Sequence, residues 1–139
     1  MKFSAVQVGM SKTIQKEITE KDTALHYGSG SIEDLLATPV LAALMIEAAV
    51  STVDPLLPDG YITIGRYLSI EHLEPTTKGM TVTVKAEITE IDNNRINFII
   101  MAYDELGEIG KGIHERFIVN HDLLRQKVNN RTKNLEPRP

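Results

Sequence analysis

The chain has 139 residues, and its 15 Lys and Arg against 19 Asp and Glu give a formal net charge of −4; at this length one domain can bury about 70% of the surface its unfolded chain exposes. It contains no cysteine, which excludes a disulfide framework, a thiolate metal site and a cysteine nucleophile, and suits a reducing compartment. The acidic balance argues against a nucleic-acid partner, because tracking phosphates requires a concentrated basic stripe. Met1 to Gln7 lacks the apolar run of a signal peptide, and no stretch reads as a span of about 20 apolar residues. The expectation is a soluble cytoplasmic protein without a membrane partner.

Taken in chain order, Lys12 to Thr19 reads as a strand and Tyr27 to Ser31 as a flexible glycine-containing loop. Ser31 to Leu36 reads as a short helical turn, with Ser31 and Asp34 spaced as a capping box. The clearest helix begins at Thr38, a good N-cap, followed by Pro39 where a missing N–H is harmless, and runs to about Val53 before Asp54-Pro55 stops it. Between Pro39 and Val50 its only charge is Glu47, so the spacing predicts a core helix wrapped nearly all round.

After Leu57-Pro-Asp-Gly60 the period changes to two. Ile62, Ile64, Leu68, Ile70 and His72 are expected on one face, and Val82, Val84, Ala86 and Ile88 on the apolar face of the next strand. Turns at Asp92-Asn-Asn94 and at Leu106-Gly107 separate two more runs, Ile96 to Tyr103 and Ile109 to Val119. One strand, one buried helix and a four-stranded meander make an α+β layer, a curved antiparallel sheet wrapped around one long helix: the hot-dog arrangement. No linker or repeat divides residues 1–139, so they read as one domain, with about 121–139 a helix that frays into a basic, solvated tail.

Few residues in this pattern carry chemistry. The histidines at 26, 72, 114 and 121 lack the helical spacing of a zinc site, and Gly28-Ser-Gly30 lacks the lysine of a phosphate loop. Neither a metal nor a cofactor is expected. His72 sits at a strand end on the face turned toward the helix, where it is either a hydrogen-bonded core residue or a catalytic base. Glu47 is either a desolvated acid or, with Ser51 and Asp54 at i+4 and i+7, part of a wet stripe. Thr38 offers a hydroxyl at a helix N-terminus, for capping or for catalysis. Arg116 can bind a phosphate or pair with a neighbouring acid such as Glu115.

Leu36-Ala-Thr-Pro39, Ala43-Leu-Met45, Gly65, His72-Leu-Glu-Pro75-Thr-Thr-Lys-Gly79-Met-Thr-Val-Thr-Val84 and Gly110-Lys-Gly-Ile-His-Glu-Arg116 occur in this order. The ordered set resembles the fluoroacetyl-CoA-thioesterase-like family of hot-dog proteins over roughly residues 10 to 120. The resemblance implies a homodimer, with a tetramer left open, whose sheets join edge to edge and whose acyl-CoA site lies between subunits. It also implies a catalytic set of Thr38, Glu47 and His72, with Gly65 near the thioester carbonyl and Arg116 toward the substrate; coenzyme A enters only as part of that substrate. Two positions depart from the pattern. The family's acid follows Leu-Met directly, whereas here Ile46 intervenes before Glu47, a rotation of about 100° on a helix; and Arg66 stands where the family often has a small hydroxyl residue. The implied activity is hydrolysis of a short or medium acyl-CoA, against a non-catalytic acyl-CoA binder or a dehydratase on the same fold.

Overall fold

The computed structural model describes residues 3–28, 32 and 34–135. Strand β1 (Ser11–Glu17) precedes helix α1 (Thr38–Val53), strands β2 (Tyr61–His72), β3 (Thr81–Asp92), β4 (Arg95–Asp104) and β5 (Gly107–Asn120), and helix α2 (His121–Thr132). The five strands form one sheet of order β1-β3-β4-β5-β2, antiparallel throughout. β3, β4 and β5 are a true meander, closed by Asn93-Asn94 and Glu105-Leu106; Asn93 takes φ 55°, a left-handed conformation that asparagine tolerates. β2 does not belong to that meander: the segment from Leu73 to Met80 carries the chain from β2, beside β5, across to β3. The expected four-strand meander is corrected accordingly, and β2 becomes an edge.

Alternation builds the core. Val82, Val84, Ala86 and Ile88 of β3, with Ile96, Phe98, Ile100 and Ala102 of β4, are buried against α1, whose Leu41, Met45, Ala48, Ala49 and Val53 are fully buried in turn. Each large side chain so removed from water contributes about 1.5–3 kcal/mol. On β5 the inward positions include Gly110 and Gly112, and their lack of side chains is what admits the helix: a Cβ at Gly112 would lie 2.9 Å from Met45 Sδ, and one at Gly110 would lie 3.2 Å from Leu41 Cδ2 and 2.8 Å from the Glu71 carbonyl oxygen. Side-chain atoms at those distances overlap, so alanine at either site would force the helix or β2 away.

Several local expectations change. α1 begins one residue earlier in register: Ala37 is the N-cap and makes no side-chain cap, which leaves Thr38 inside the first turn. The capping box occurs instead at Thr19 and Asp22, where Asp22 Oδ2 accepts from the Thr19 N–H at 2.9 Å and from its hydroxyl at 3.1 Å. Leu35 and Leu36 are not helical; they form isolated bridges to Thr77 and Thr23, while Ser29, Gly30, Ser31 and Glu33 lie outside the described residues. α1 is also less enclosed than its composition implies, since Pro39, Ala43, Ile46 and Glu47 are exposed. Together with the following turn it has the length and hydropathy of a membrane span over Thr38–Leu56, contrary to expectation, but its buried face packs on the sheet as a core helix. α2 buries nothing, in keeping with a solvated C-terminal helix; Glu136 to Pro139 lie outside the described residues.

Candidate active site

β2 positions the chemistry, and a single extra residue in it decides which side chains face α1. Gly65 pairs with Arg116 and Tyr67 with Glu115, so Arg66 bulges out of the ladder. A bulge of one residue inverts the alternation beyond it. Leu68, Ile70 and His72 therefore share the inward face with Thr63 and Gly65, not with Ile62 and Ile64, whose pairs Val119 and Phe117 lie on the other side of the sheet. The extruded Arg66 places its guanidinium 5.2 Å from the Phe117 ring centre on that outer side.

At the end of β2, His72 Nδ1 lies 2.8 Å from the Thr38 hydroxyl oxygen. The hydroxyl is free to make this bond because it does not cap α1. His72 Nε2 is buried and has no hydrogen-bond partner among the described residues. Burial lowers the His72 pKa, and the nearby Glu74 backbone opposes the shift without closing a hydrogen bond, so the ring is neutral near pH 7. The Thr38 hydroxyl is able to donate to Nδ1 or accept from it; in the tautomer where it donates, the proton sits on Nε2. Both residues line a cleft of about 300 Å³ whose walls are mainly apolar, among them Ala24, Leu35, Ala37, Leu73 and Pro75. A hydroxyl bonded to a neutral imidazole, with the positive end of a helix dipole beside it, is an arrangement suited to acyl transfer.

A second cluster lies toward the other end of β2. Arg116, 6% exposed, donates from Nε to Thr63 Oγ1 at 2.8 Å and from Nη2 to the Thr63 carbonyl at 2.9 Å. Thr63 in turn donates to Asp54 through its hydroxyl at 2.5 Å and its N–H at 3.2 Å, which ties the end of α1 to β2. His114 Nδ1 lies 2.7 Å from the Tyr67 carbonyl and its Nε2 lies 3.2 Å from Arg116 Nη1. A carbonyl only accepts and a guanidinium only donates, so His114 is fixed as the neutral Nδ1–H tautomer. Gly65 covers this cluster: a Cβ there would sit 3.0 Å from Arg116 Nη1 and 3.3 Å from His114 Cε1. Expected on substrate, Arg116 is instead held beneath Gly65; Glu115 points to the opposite face and does not pair with it.

His114 gives a pH signature. Burial pushes its pKa down, helped by the Arg116 charge and opposed by the bond to Tyr67. The unfolded chain, with an ordinary histidine value of about 6.5, then binds more protons than the folded chain. The sign of the linkage makes stability rise with pH: the contribution is complete above about pH 6.5 and is lost as pH falls toward the depressed folded value. Urea unfolding at a series of pH values is expected to show this acid slope, and His114→Gln to flatten it; an unchanged slope in the variant rules the assignment out.

Of the sequence-predicted residues, the structure brings Thr38 and His72 together, and Gly65 and Arg116 together, but does not join the two pairs within one chain. Seven residues of strand separate His72 from Gly65, about 20 Å. Glu47 is exposed on α1, and nine residues of helix place it about 13 Å along the axis from Thr38. Thr63 was not singled out by sequence reasoning, Asp54 entered it only as a helix stop and part of a wet stripe, and His114 only as a histidine without metal spacing and as part of the Gly110 to Arg116 motif.

The family model described as fluoroacetyl-CoA-specific thioesterase matches residues 18–122. A curated fluoroacetyl-CoA thioesterase of Streptantibioticus cattleyicolor is 32% identical over 99 residues, covering 71% of either chain. Among solved structures, a hot-dog-like protein from Thermanaerovibrio acidaminovorans superposes with a TM-score of 0.88 at 27% identity, covering 99% of this chain and 100% of that one. A structure of fluoroacetyl-CoA thioesterase gives a TM-score of 0.83 at 27% identity, covering 94% of this chain and 98% of that one. The architecture, with its wrapped helix and paired Thr38 and His72, is accordingly a hot-dog fold, and the chain belongs to the fluoroacetyl-CoA-specific thioesterase family.

Proposed function

We propose that this protein is a cytoplasmic homodimer that hydrolyses short or medium acyl-CoA thioesters, with Thr38 and His72 as its reacting pair. The observation that carries this reading is the 2.8 Å contact between the Thr38 hydroxyl and His72 Nδ1, set at an apolar cleft of about 300 Å³. That volume lies at the small end of ligand pockets and suits a short acyl group better than a long one. His72 takes the Thr38 proton as Oγ1 attacks the thioester carbonyl. The tetrahedral intermediate expels the coenzyme A thiolate, which receives the proton from His72 Nε2 or Nδ1 through the imidazolium. Water, deprotonated by the same ring, then releases the acid and restores Thr38. The sequence is redox-neutral and needs no cofactor beyond the coenzyme A of the substrate.

What one chain leaves unfinished supports the homodimer. β2 is a long edge strand, and beside it α1 exposes Pro39, Ala43 and Ile46; an open edge of this length favours pairing. A two-fold axis that joins two β2 edges antiparallel also runs the two α1 helices antiparallel. The Thr38 and His72 end of one copy then approaches the Gly65 and Arg116 end of the other. In that arrangement Glu47 of the second copy is the carboxylate for the unsatisfied His72 Nε2–H, which completes a hydroxyl–imidazole–carboxylate series.

The test is free-thiol release from acyl-CoAs of increasing chain length, measured beside equilibrium binding of the same esters. The expected result is turnover that falls with chain length. Saturable binding without thiol release at any length would overturn the hydrolytic reading in favour of an acyl-CoA binder.

A further inference from the structure

Helix α2 and its C-cap Lys133 carry a charge that the rest of the chain does not share. Four of the 15 Lys and Arg, namely Arg125, Lys127, Arg131 and Lys133, fall there against a single acid, Asp122, so a positive segment stands on a chain of net charge −4. All four are exposed. Among the described residues none of them forms an ion pair, whereas Lys16 and Arg95 are held by Asp22 and Glu90. The helix dipole accounts for Arg131 and Lys133, which sit at the C-terminal end, but not for Arg125 and Lys127 in the middle. Lys127 and Arg131 stand one turn apart on the same face, a spacing at which like charges repel and weaken the helix. An anion lying along that face removes the repulsion.

The place of α2 in the edge-paired dimer identifies that anion. The His121 N–H bonds to the Gly60 carbonyl at 2.8 Å and Asn120 pairs with Tyr61, so α2 starts beside the head of β2. When two β2 edges run antiparallel and bring Gly65 of one copy to His72 of the other, the four residues from Gly65 back to Tyr61, about 13 Å, run alongside Leu73, Glu74 and Pro75, which border the Thr38 and His72 cleft. The α2 helix of the second copy then stands at the mouth of the first copy's cleft. Pantetheine, about as long as four extended residues, spans roughly 14 Å and carries the nucleotide end of a coenzyme A ester that far from its thioester. Only that end is anionic, with a diphosphate and a phosphomonoester of about −1.5 to −2 charge near pH 7. Other cations are worse placed. Lys78 follows Thr77, which bridges to Leu35 of the cleft wall, but it shares its depression with Glu20 and Asp34, and the Arg66 guanidinium lies against Phe117.

We propose that Lys127 and Arg131 on α2 of the second copy bind the phosphates of the coenzyme A ester whose thioester lies at Thr38 and His72 of the first. The inference rests on the acyl-CoA and homodimer reading above and deepens it: one chain holds the acyl group and the other holds the nucleotide. The phosphates lie far from the reacting carbonyl and keep their charge through the reaction. Their contacts therefore bind ground state and transition state alike, and losing them raises KM without lowering kcat. The site is exposed, so salt screens it. A membrane surface fits α2 less well, because its exposed Leu123 and Val128 stand about 140° apart around the helix and form no single apolar stripe.

The experiment is calorimetric titration of the full chain and of Lys127→Glu/Arg131→Glu with coenzyme A and with pantetheine, beside acyl-CoA kinetics, with circular dichroism to verify folding. The double reversal is expected to weaken coenzyme A binding at least about tenfold, to leave pantetheine binding unchanged, and to raise KM for the acyl-CoA by the same factor at constant kcat. Co-expression of a His72→Ala chain with the reversed chain reads which copy supplies the helix. A mixed dimer holds one site with both an intact His72 and an intact facing helix, so turnover with the wild-type KM is expected beside the high-KM turnover of the reversed homodimer. High-KM turnover alone overturns the assignment to the second copy. Equal coenzyme A affinity in the wild type and the reversal overturns the proposal outright, as does a reversal that abolishes co-sedimentation with phosphatidylglycerol vesicles and leaves coenzyme A binding intact, since the helix then serves a lipid surface. A wild type that binds coenzyme A through this helix and releases no thiol would sink hydrolysis while upholding the phosphate site.

Discussion

Replacing His72 with alanine lowers kcat/KM for the best acyl-CoA by about 10²–10⁴-fold, the range that a positioned general base supplies. The loss is expected mainly on kcat, because the proposed task of the ring is to take the proton of the Thr38 hydroxyl it contacts. Only the neutral imidazole can accept the Thr38 proton. Burial lowers its pKa, so the acid limb of the wild-type kcat/KM profile inflects below the ordinary histidine value of about 6.5 and activity is flat from there to neutrality. Steady-state kinetics from acid to mildly alkaline pH measures both effects. Unchanged turnover in a folded His72→Ala protein would remove the mechanism, and an inflection above 6.5 would contradict the burial argument.

Arg116→Ala is the substitution with the largest expected cost in stability, about 2–5 kcal/mol, from the cavity it opens and the buried acceptors it leaves without a donor. Its guanidinium holds Thr63 at two points and His114 at a third, and Thr63 is what Asp54 grips from the end of α1. Truncation strands the His114 Nε2 acceptor, leaves a cavity below Gly65, and slackens the tie between helix and edge strand. Arg116→Met fills most of the same volume without the charge and is expected to lose much less, since the desolvation of the cation disappears with it. Chemical denaturation of the two variants measures the difference. Equal losses would show that the lost hydrogen bonds, and not the volume that methionine restores, account for the role of Arg116.

The layers of the fold were legible because α1 and β3 obey simple periods: a nearly uncharged helical run, and a strand whose buried Val82, Val84, Ala86 and Ile88 alternate with polar residues. β2 was misread in part because one extruded residue, Arg66, is invisible to period-two counting, and everything before it changes sides. β5 is harder still. Between Gly110 and Phe117 its inward face holds Gly110, Gly112, His114 and Arg116 and its outward face holds Ile113 and Phe117, so hydrophobicity points the wrong way over that stretch, and only Ile109 and Ile118 on either side of it join the core. The glycines face inward to admit Leu41 and Met45, and the two polar residues face inward to serve Thr63 and the bulge. A clue was present in the small and polar residues recurring at every second position, but only the packing of α1 explains it.

The candidate site was legible to a similar degree. Thr38 and His72 were both singled out and the structure brings them into contact, yet the hydroxyl's freedom depends on Ala37 taking the N-cap position, a shift of one residue that propensities do not resolve. The distance between His72 and Gly65 follows from strand length once β2 is seen as continuous, and it is this distance that separates the motif residues into two clusters in one chain. Glu47 adds a physical constraint of its own: a residue a dozen ångströms along the helix from Thr38 acts on His72 only when it is supplied by another copy.

The most direct test of the central claim, that Thr38 and His72 act as one device on an acyl-CoA thioester, is a double-mutant cycle on thiol release with Thr38→Val, His72→Ala and the pair combined. Valine keeps the shape of threonine and removes only the hydroxyl. If the two residues work as a unit, either single change takes away nearly all the rate that the pair provides, and the double variant is no slower than the worse single one. Losses that multiply, so that the double variant is slower than both by the product of their effects, would mean that the two side chains contribute independently and that the hydrogen bond between them is not the catalytic element.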